Sequence, residues 1–154
     1  MKKIIALFAF VMLFLTLNAQ TPKEIYQAGK ALYEAQKYNE AFVKFKSAAE
    51  QGNKKAQYYL GRCYAKGRGV AEDDKAAFEW YQKSANQDYA KAQYRLGKCY
   101  MKGKVVAKDE KKAAELFKKA VNNPKGGDEI LSDLKKEASE GDTDAAKILK
   151  MIKN

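Results

Sequence analysis

The twelve residues Ala56–Gly67, AQYYLGRCYAKG, recur 36 residues later as Ala92–Gly103, AQYRLGKCYMKG. The two stretches differ at only three positions. Self-similarity at a fixed period of roughly 20 to 50 residues indicates a repeat array, in which each unit stacks on its neighbours. The sequence therefore predicts a helical solenoid, whose function depends on a surface rather than on a catalytic cleft.

Each unit has the pattern of two helices. One apolar stripe at helical spacing marks the first helix: Ala56, Leu60, Cys63 and Tyr64. Gly67 is placed to end this helix in the left-handed conformation, and Asp73 or Asp74 is placed to cap the next one. A second stripe follows: Ala77, Trp80, Tyr81, Ser84 and Ala85. A single hairpin of this kind cannot bury its own apolar face, so the units must stack.

These residues resemble the Sel1-like repeat, a relative of the tetratricopeptide repeat. The matching positions in the first copy are Ala56, Leu60, Gly61, Tyr64, Gly67, Gly69, Val70, Asp73, Trp80 and Tyr81. The second copy keeps most of them and departs at Val105, where the family expects glycine, and at Leu116, where it expects an aromatic residue. The resemblance implies an all-α, right-handed α/α superhelix that binds proteins or peptides and has no catalytic activity of its own.

The chain divides into a leader and one helical domain. We expect a signal peptide at residues 1–19 and one helical domain at residues 20–154. The domain contains three hairpins, at about 22–55, 56–91 and 92–127, and a degenerate closing helix pair at 128–154. Pro124 and the two glycines that follow it mark the break before the closing pair. Terminal repeats are expected to be atypical because they cover the last apolar face.

The amino terminus has the pattern of an export signal. Lys2 and Lys3 precede an apolar run over Ile4–Leu17, and Ala19 ends a possible cleavage site. The alternative is a membrane anchor, but a spanning helix needs about 20 apolar residues and this run is shorter. The sequence therefore predicts a periplasmic or secreted protein with no stable membrane insertion after cleavage.

The charge of the chain indicates the partner. The formal net charge is +11, and removal of Lys2 and Lys3 would still leave a strongly basic protein. Basic chains often bind nucleic acid, but an exported protein meets acidic proteins, peptides and envelope polymers instead. We therefore expect an acidic protein or peptide as partner, no nucleic acid, and a monomeric state. The alternative is that most lysines only solvate the outer sides of the helices.

Few residues in this sequence could carry chemistry. Histidine is absent, which excludes His-based triads and His-containing zinc sites. We accordingly predict no catalytic, cofactor-binding or metal-binding residues. Cys63 and Cys99 could form a disulfide, but equivalent positions on stacked helices lie about 8 to 10 Å apart from axis to axis. We favour two buried, unbridged thiols that act as small apolar residues.

The candidate binding surface comes from aligning the repeats on Gly29, Gly61 and Gly97. Three columns outside the apolar stripe then match: Lys23, Lys55 and Lys91; Tyr26, Tyr58 and Tyr94; Lys30, Arg62 and Lys98. In each helix these residues are spaced i, i+3 and i+7, so they share one face. In related repeats this face lines the concave wall, and cations beside aromatic rings suit a carboxylate-bearing peptide. The competing interpretation is that the tyrosines pack against the next repeat and the cations are only solvated.

Three functions are compatible with these observations. The first is an exported module that binds an acidic partner on a basic, tyrosine-lined concave face. The second is a cell-envelope hydrolase that acts on cell-wall fragments or β-lactams, which the lack of histidine disfavours. The third is a structural envelope protein that binds polyanions without a defined groove. We favour the first and predict that the protein is not an enzyme.

Overall fold

The computed structural model describes residues 20–153, which form eight α-helices and, within that range, no β-strand. The helices are α1 Pro22–Glu34, α2 Tyr38–Glu50, α3 Lys54–Lys66, α4 Asp74–Ala85, α5 Ala90–Lys102, α6 Glu110–Val121, α7 Gly127–Ser139 and α8 Thr143–Lys153. The signal segment predicted over residues 1–19 lies outside the described residues.

Consecutive helices pack as hairpins. The pairs α1/α2, α3/α4 and α5/α6 are each in extensive contact, and α2 packs on α3 as α4 packs on α5. The last pair, α7/α8, packs mainly on α6 and so covers the third hairpin. The predicted right-handed α/α superhelix of three hairpins and a closing helix pair is confirmed.

The helix ends follow the local sequence. Thr21 forms a capping box at the start of α1, and the side chains of Asp73 and Asp109 accept backbone N–H bonds in the first turns of α4 and α6. Gly67 and Gly103 end α3 and α5 with φ of 59° and 67°, a conformation in which glycine has no steric cost. The predicted stop at Gly67 and the predicted cap at Asp73 are confirmed.

A glycine of the first helix faces an aromatic ring of the second helix in every hairpin. The pairs are Gly29 with Phe45, Gly61 with Tyr81, and Gly97 with Phe117. A Cβ atom at Gly61 would lie 2.7 Å from Cε1 of Tyr81, and one at Gly97 would lie 2.7 Å from Cε1 of Phe117. The absence of a side chain at these positions is therefore what lets each ring lie against the neighbouring helix.

Aromatic and aliphatic side chains join successive repeats. Tyr59 of α3 stacks on Phe45 of α2, with ring centroids 5.0 Å apart. At the other end, Leu134 of α7 and Ile148 of α8 are buried in the same cluster as Phe117. The apolar faces thus form one series of contacts from the first repeat to the closing pair.

Backbone carbonyls between the repeats are satisfied by side chains at the same period. Gln87 Nε2 donates to the carbonyl oxygen of Gly52, and Asn123 Nδ2 donates to that of Asp88, each at 3.0 Å. Both donors and both acceptors are 36 residues apart. The stacking geometry of the second repeat is therefore reproduced in the third.

Trp80 differs from the other members of its predicted stripe. Its side chain is half-buried at the edge of the first apolar cluster, and Lys83 Nζ lies 4.0 Å from its ring centroid. Tyr81, the next residue, is the one that packs into the core.

Substitution of Gly97 by alanine should lower the free energy of unfolding by about 1 to 2 kcal/mol. Overpacking against Phe117 costs about 1 to 3 kcal/mol, and the higher helix propensity of alanine returns at most about 1 kcal/mol. Urea unfolding of Gly97→Ala, Phe117→Leu and the double variant measures the coupling. The cost of Gly97→Ala should shrink in the Phe117→Leu background, and an equal cost in both backgrounds would show that the ring does not set the helix spacing.

Candidate protein-binding groove

The nine predicted site residues all lie on α1, α3 and α5, the first helices of the three hairpins. Lys23, Lys30 and Lys55 are exposed, and Arg62, Lys91 and Lys98 are half-buried. The cations of the three columns therefore all keep some solvent exposure on the first helices of the hairpins.

The three predicted tyrosines do not share one environment. Tyr26 and Tyr58 are only 8% and 5% exposed. The ring of Tyr26 packs on Tyr59 of the next repeat, and that of Tyr58 packs on Tyr81 of its own hairpin, in a cluster that also contains Ala92 and Leu96 of the third repeat. For these two residues, packing between repeats is what the structure shows. Tyr94 is half-buried and lines a cavity that a small part of Tyr58 also borders, so Tyr94 is the tyrosine of the column that is most accessible to a ligand.

A cavity of about 350 Å³ lies between α3 and α5. Six cationic side chains line it: Arg62, Lys66, Arg95, Lys98, Lys102 and Lys104. Ala77 and Tyr81 of α4 add apolar surface to the lining. Asp74 is the one acidic residue among the lining residues, and it pairs with Lys104 at 2.5 Å. This cavity is called the basic cavity below.

The positive charge of the basic cavity is only partly compensated. Lys102 pairs with Asp144 of α8, whereas Arg62, Lys66, Arg95 and Lys98 form no ion pair with any described residue. The helices α3 and α5 contain no acidic residue at all. An anion entering the cavity would therefore meet a net positive field.

The pKa of Lys98 reflects this crowding. Burial lowers the pKa of the Lys98 ammonium, and the neighbouring cations Lys102 and Arg95 lower it further. A bound carboxylate would offset both effects. Burial also acts to lower the pKa of Arg95, but Tyr58 and other neighbouring tyrosines outweigh it, so Arg95 stays charged.

Aromatic rings hold the guanidinium of Arg62. Its Cζ lies 5.4 Å from the ring centroid of Tyr33, 5.8 Å from that of Tyr58 and 5.3 Å from that of Tyr59. Stacking on rings restricts the planar group without using its N–H donors. Arg62 is therefore positioned by rings of the first and second repeats and retains donors for a ligand.

A smaller cavity of about 170 Å³ lies between α5 and α7. Lys91, Tyr94 and Arg95 line its α5 side, and the α7 side contributes the carboxylates Glu129, Asp133 and Glu137. Lys91 Nζ and Glu129 Oε1 form an ion pair at 2.7 Å. This cavity is called the acidic cavity below. Arg95 borders both cavities, so the two are adjacent, and together they are called the groove below.

The sequence analysis missed Arg95 and the acidic residues of α7. Arg95 replaces Tyr59 of the preceding repeat, so it belongs to no matching column. Glu129, Asp133 and Glu137 belong to α7, for which the sequence predicts only the role of covering the third hairpin. Their four-residue spacing, which places them on one face, was the available signal.

The two cysteines differ in exposure. Both are free, as predicted from the spacing of stacked helices. Cys63 is completely buried, and burial raises the pKa of its thiol to about 11. Cys99 is half-buried and lines the basic cavity, so the prediction that both thiols are buried is wrong for Cys99. Cys99 is therefore a natural reporter of access to the groove, with Cys63 as an internal control.

Among the residues that the structure describes, no helix has the length and apolar character needed to cross a membrane. Within residues 20–153, no cluster of three or more His, Cys, Asp or Glu side chains has an arrangement that could hold a metal ion.

The fold and the groove define an all-α repeat protein of the solenoid class. The family sequence model described as Sel1 repeat matches residues 24–53, 54–89 and 90–124. These matches cover most of the chain, which therefore belongs to the Sel1 repeat family. Sel1 repeats fold as protein–protein interaction modules, and this chain has the same fold.

Solved structures give the same result. A Sel1 repeat protein from Oxalobacter formigenes shares 31% sequence identity with a TM-score of 0.62, over 78% of this chain and 57% of that chain. The c5321 protective antigen of uropathogenic Escherichia coli strains, which displays an SLR fold, shares 25% identity with a TM-score of 0.66, over 84% of this chain and 30% of that chain. This chain thus spans less than two thirds of either protein.

A third solved structure, cysteine rich protein B of Helicobacter pylori, is similar in fold alone. It shares 22% identity with a TM-score of 0.54, over 73% of this chain and 98% of that chain. A search of curated proteins gives no significant match.

Alkylation of the native protein should reach Cys99 well before Cys63, because only Cys99 lines a cavity. The cations around Cys99 should also favour the anionic reagent, so the ratio of the iodoacetate rate to the iodoacetamide rate should be higher at Cys99 than for a free cysteine peptide. Timed quenching and peptide mass spectrometry give both rates. The preference should fade at about 1 M salt. A ratio at Cys99 equal to that of the free peptide would mean that the cavity has no positive field.

Proposed function

We propose that this chain is an exported interaction module that captures an acidic or carboxylate-bearing segment of a partner protein or peptide in the groove along α3 and α5. The observation that carries the proposal is the basic cavity. Six cations surround it, and the two helices that supply most of them contain no acidic residue. The energetic cost of gathering these charges is offset when a ligand brings the opposite charge.

Each part of the cavity has a role in this proposal. The guanidinium of Arg62, held on its tyrosine rings, donates to a carboxylate, and Lys98 adds a second cation. Tyr81 and Ala77 offer apolar surface for the stem of an acidic side chain or for a neighbouring residue. This apolar surface favours recognition of a peptide over binding of an arbitrary polyanion.

The predicted columns extend the surface beyond the cavity. Lys23, Lys30 and Lys55 are exposed on α1 and α3 and lengthen the positive field. Exposed charges of this kind raise the rate of encounter more than the affinity. Tyr26 and Tyr58 are almost completely buried, so they support this surface mainly by packing rather than by contact with a ligand.

The proposal includes a location and an oligomeric state. The basic and apolar segments before residue 20 have the pattern of an export signal, so we place the protein in the periplasm or the medium, as a monomer. Its partners are then exported or surface-exposed proteins with acidic segments. No specific observation favours a hydrolytic activity, and Sel1 repeats are mostly non-catalytic interaction modules.

Reversal of three cations on the first helices should abolish binding of an acidic peptide. The variant Lys30→Glu, Arg62→Glu and Lys98→Glu should bind fluorescein-labelled Glu-Glu-Ala-Tyr-Ala-Gln-Gln at least about a hundredfold more weakly, because attraction becomes repulsion at three positions. Fluorescence anisotropy at about 0.15 M salt measures this, and the helical circular dichroism and Tm should change little.

The matched control reverses three exposed lysines on the second helices, namely Lys46→Glu, Lys75→Glu and Lys111→Glu. It has the same net charge as the first variant and should keep most of the affinity. If the first variant folds and binds as well as the unaltered chain, the groove is not the site. If both variants lose binding equally, only the overall charge matters, as expected for a polyanion-binding protein.

A further inference from the structure

We infer that the groove is bipolar and that its ligand is a peptide segment of mixed charge, with an acidic side chain in the basic cavity and a basic side chain close by in the acidic cavity. The inference rests on the proposed function and specifies the partner further. It starts from the position of Arg95, which borders both cavities. A ligand that extends past Arg95 in either direction reaches the second cavity from the first.

The acidic cavity has unpaired carboxylates. Glu129 is engaged by Lys91, but Asp133 and Glu137 are exposed and form no ion pair with any described residue. Glu137 also lies near Tyr94, since burial and then this carboxylate raise the pKa of the Tyr94 hydroxyl to about 12. The α7 side of the groove therefore presents negative charge to an occupant.

The sign of the charge changes between two neighbouring elements. Residues 128–144 contain seven acidic residues and two lysines, whereas α3 and α5 contain no acidic residue. A carboxylate-rich segment that continued past Arg95 would approach Asp133 and Glu137 and be repelled. An ammonium or guanidinium group at that point would be attracted instead.

The lining of the acidic cavity also suits a long basic side chain. Ile130 and Leu134 of α7 lie among its lining residues, beside the carboxylates. The methylene stem of a lysine or arginine can cover such apolar surface while its charged end stays at the polar rim. The same carboxylates exclude uniformly acidic ligands, so they contribute specificity as well as affinity.

Three labelled peptides test the inference: Glu-Glu-Ala-Tyr-Ala-Lys-Lys, Glu-Glu-Ala-Tyr-Ala-Gln-Gln and Gln-Gln-Ala-Tyr-Ala-Lys-Lys. Anisotropy titrations at about 0.15 M salt should show the mixed peptide binding roughly tenfold more tightly than the acidic peptide, and the basic peptide binding weakest. All three peptides carry the same label and termini, and only the side-chain charges of the mixed peptide cancel. A general attraction to a basic protein would therefore rank the acidic peptide above the mixed peptide.

A charge reversal on α7 should then make the acidic peptide bind more tightly than the mixed peptide. The variant Asp133→Lys and Glu137→Lys should bind the mixed peptide about tenfold more weakly and the acidic peptide more tightly than the unaltered chain does. The control Glu50→Lys and Glu79→Lys makes the same net change at exposed positions on α2 and α4 and should keep the original order. If the lysine variant fails to fold, Asp133→Asn and Glu137→Gln should still remove the advantage of the mixed peptide.

The outcomes separate the two proposals. If the unaltered chain binds the acidic peptide as tightly as the mixed one, and the α7 variant changes neither affinity, the bipolar groove is wrong while the basic cavity stands. If the unaltered chain binds neither peptide, both the bipolar groove and the proposed function are wrong.

Discussion

The contact between a helical glycine and an aromatic ring is the constraint on which the rest of this structure depends. In the second and third hairpins, a methyl group at Gly61 or Gly97 would collide with Tyr81 or Phe117. Each glycine is followed directly by a cation, Arg62 or Lys98, so the contact that closes the hairpin also fixes where the cation lies. Tyr81 has both roles, because its ring meets Gly61 and also lines the basic cavity.

The groove combines positive charge with rings that keep the charge in place. Concentrated like charges are unfavourable in a folded protein. Burial is the main cause that lowers the pKa of Lys98, and the neighbouring cations Lys102 and Arg95 lower it further. Part of the compensation is aromatic, since Arg62 stacks on tyrosines. Another part comes from the closing pair, through Asp144 and Glu129. The remaining positive charge is available to a ligand.

Local sequence signals predicted most of the fold. The period of 36, the glycine stops and the aspartate caps each act within one or two turns of helix, so Gly67, Gly103, Asp73 and Asp109 behave as their sequence context indicates. The closing pair was also predictable, because Pro124 and the glycines after it end α6.

The site was only partly predictable, for two physical reasons. Periodic residues recur both for packing and for binding, and Tyr26 and Tyr58 recur for packing, since adjacent repeats close over them. The most informative groove residue, Arg95, breaks the period, so an alignment of repeats passes over it. The carboxylates of α7 become part of the site only through the tertiary placement of that helix against α5, which spacing along the chain does not encode.

The central claim is that ligands bind along the groove formed by α3, α5 and α7. A titration of the ¹⁵N-labelled chain with unlabelled Glu-Glu-Ala-Tyr-Ala-Lys-Lys, followed by NMR, tests it most directly. The account predicts that the Nε–Hε signals of Arg62 and Arg95 and the backbone amides of α3, α5 and α7 shift with one binding curve, while the amides of α2 and α6 stay in place. Shifts concentrated on α2 and α6, with the Arg62 and Arg95 signals unchanged, would contradict the account.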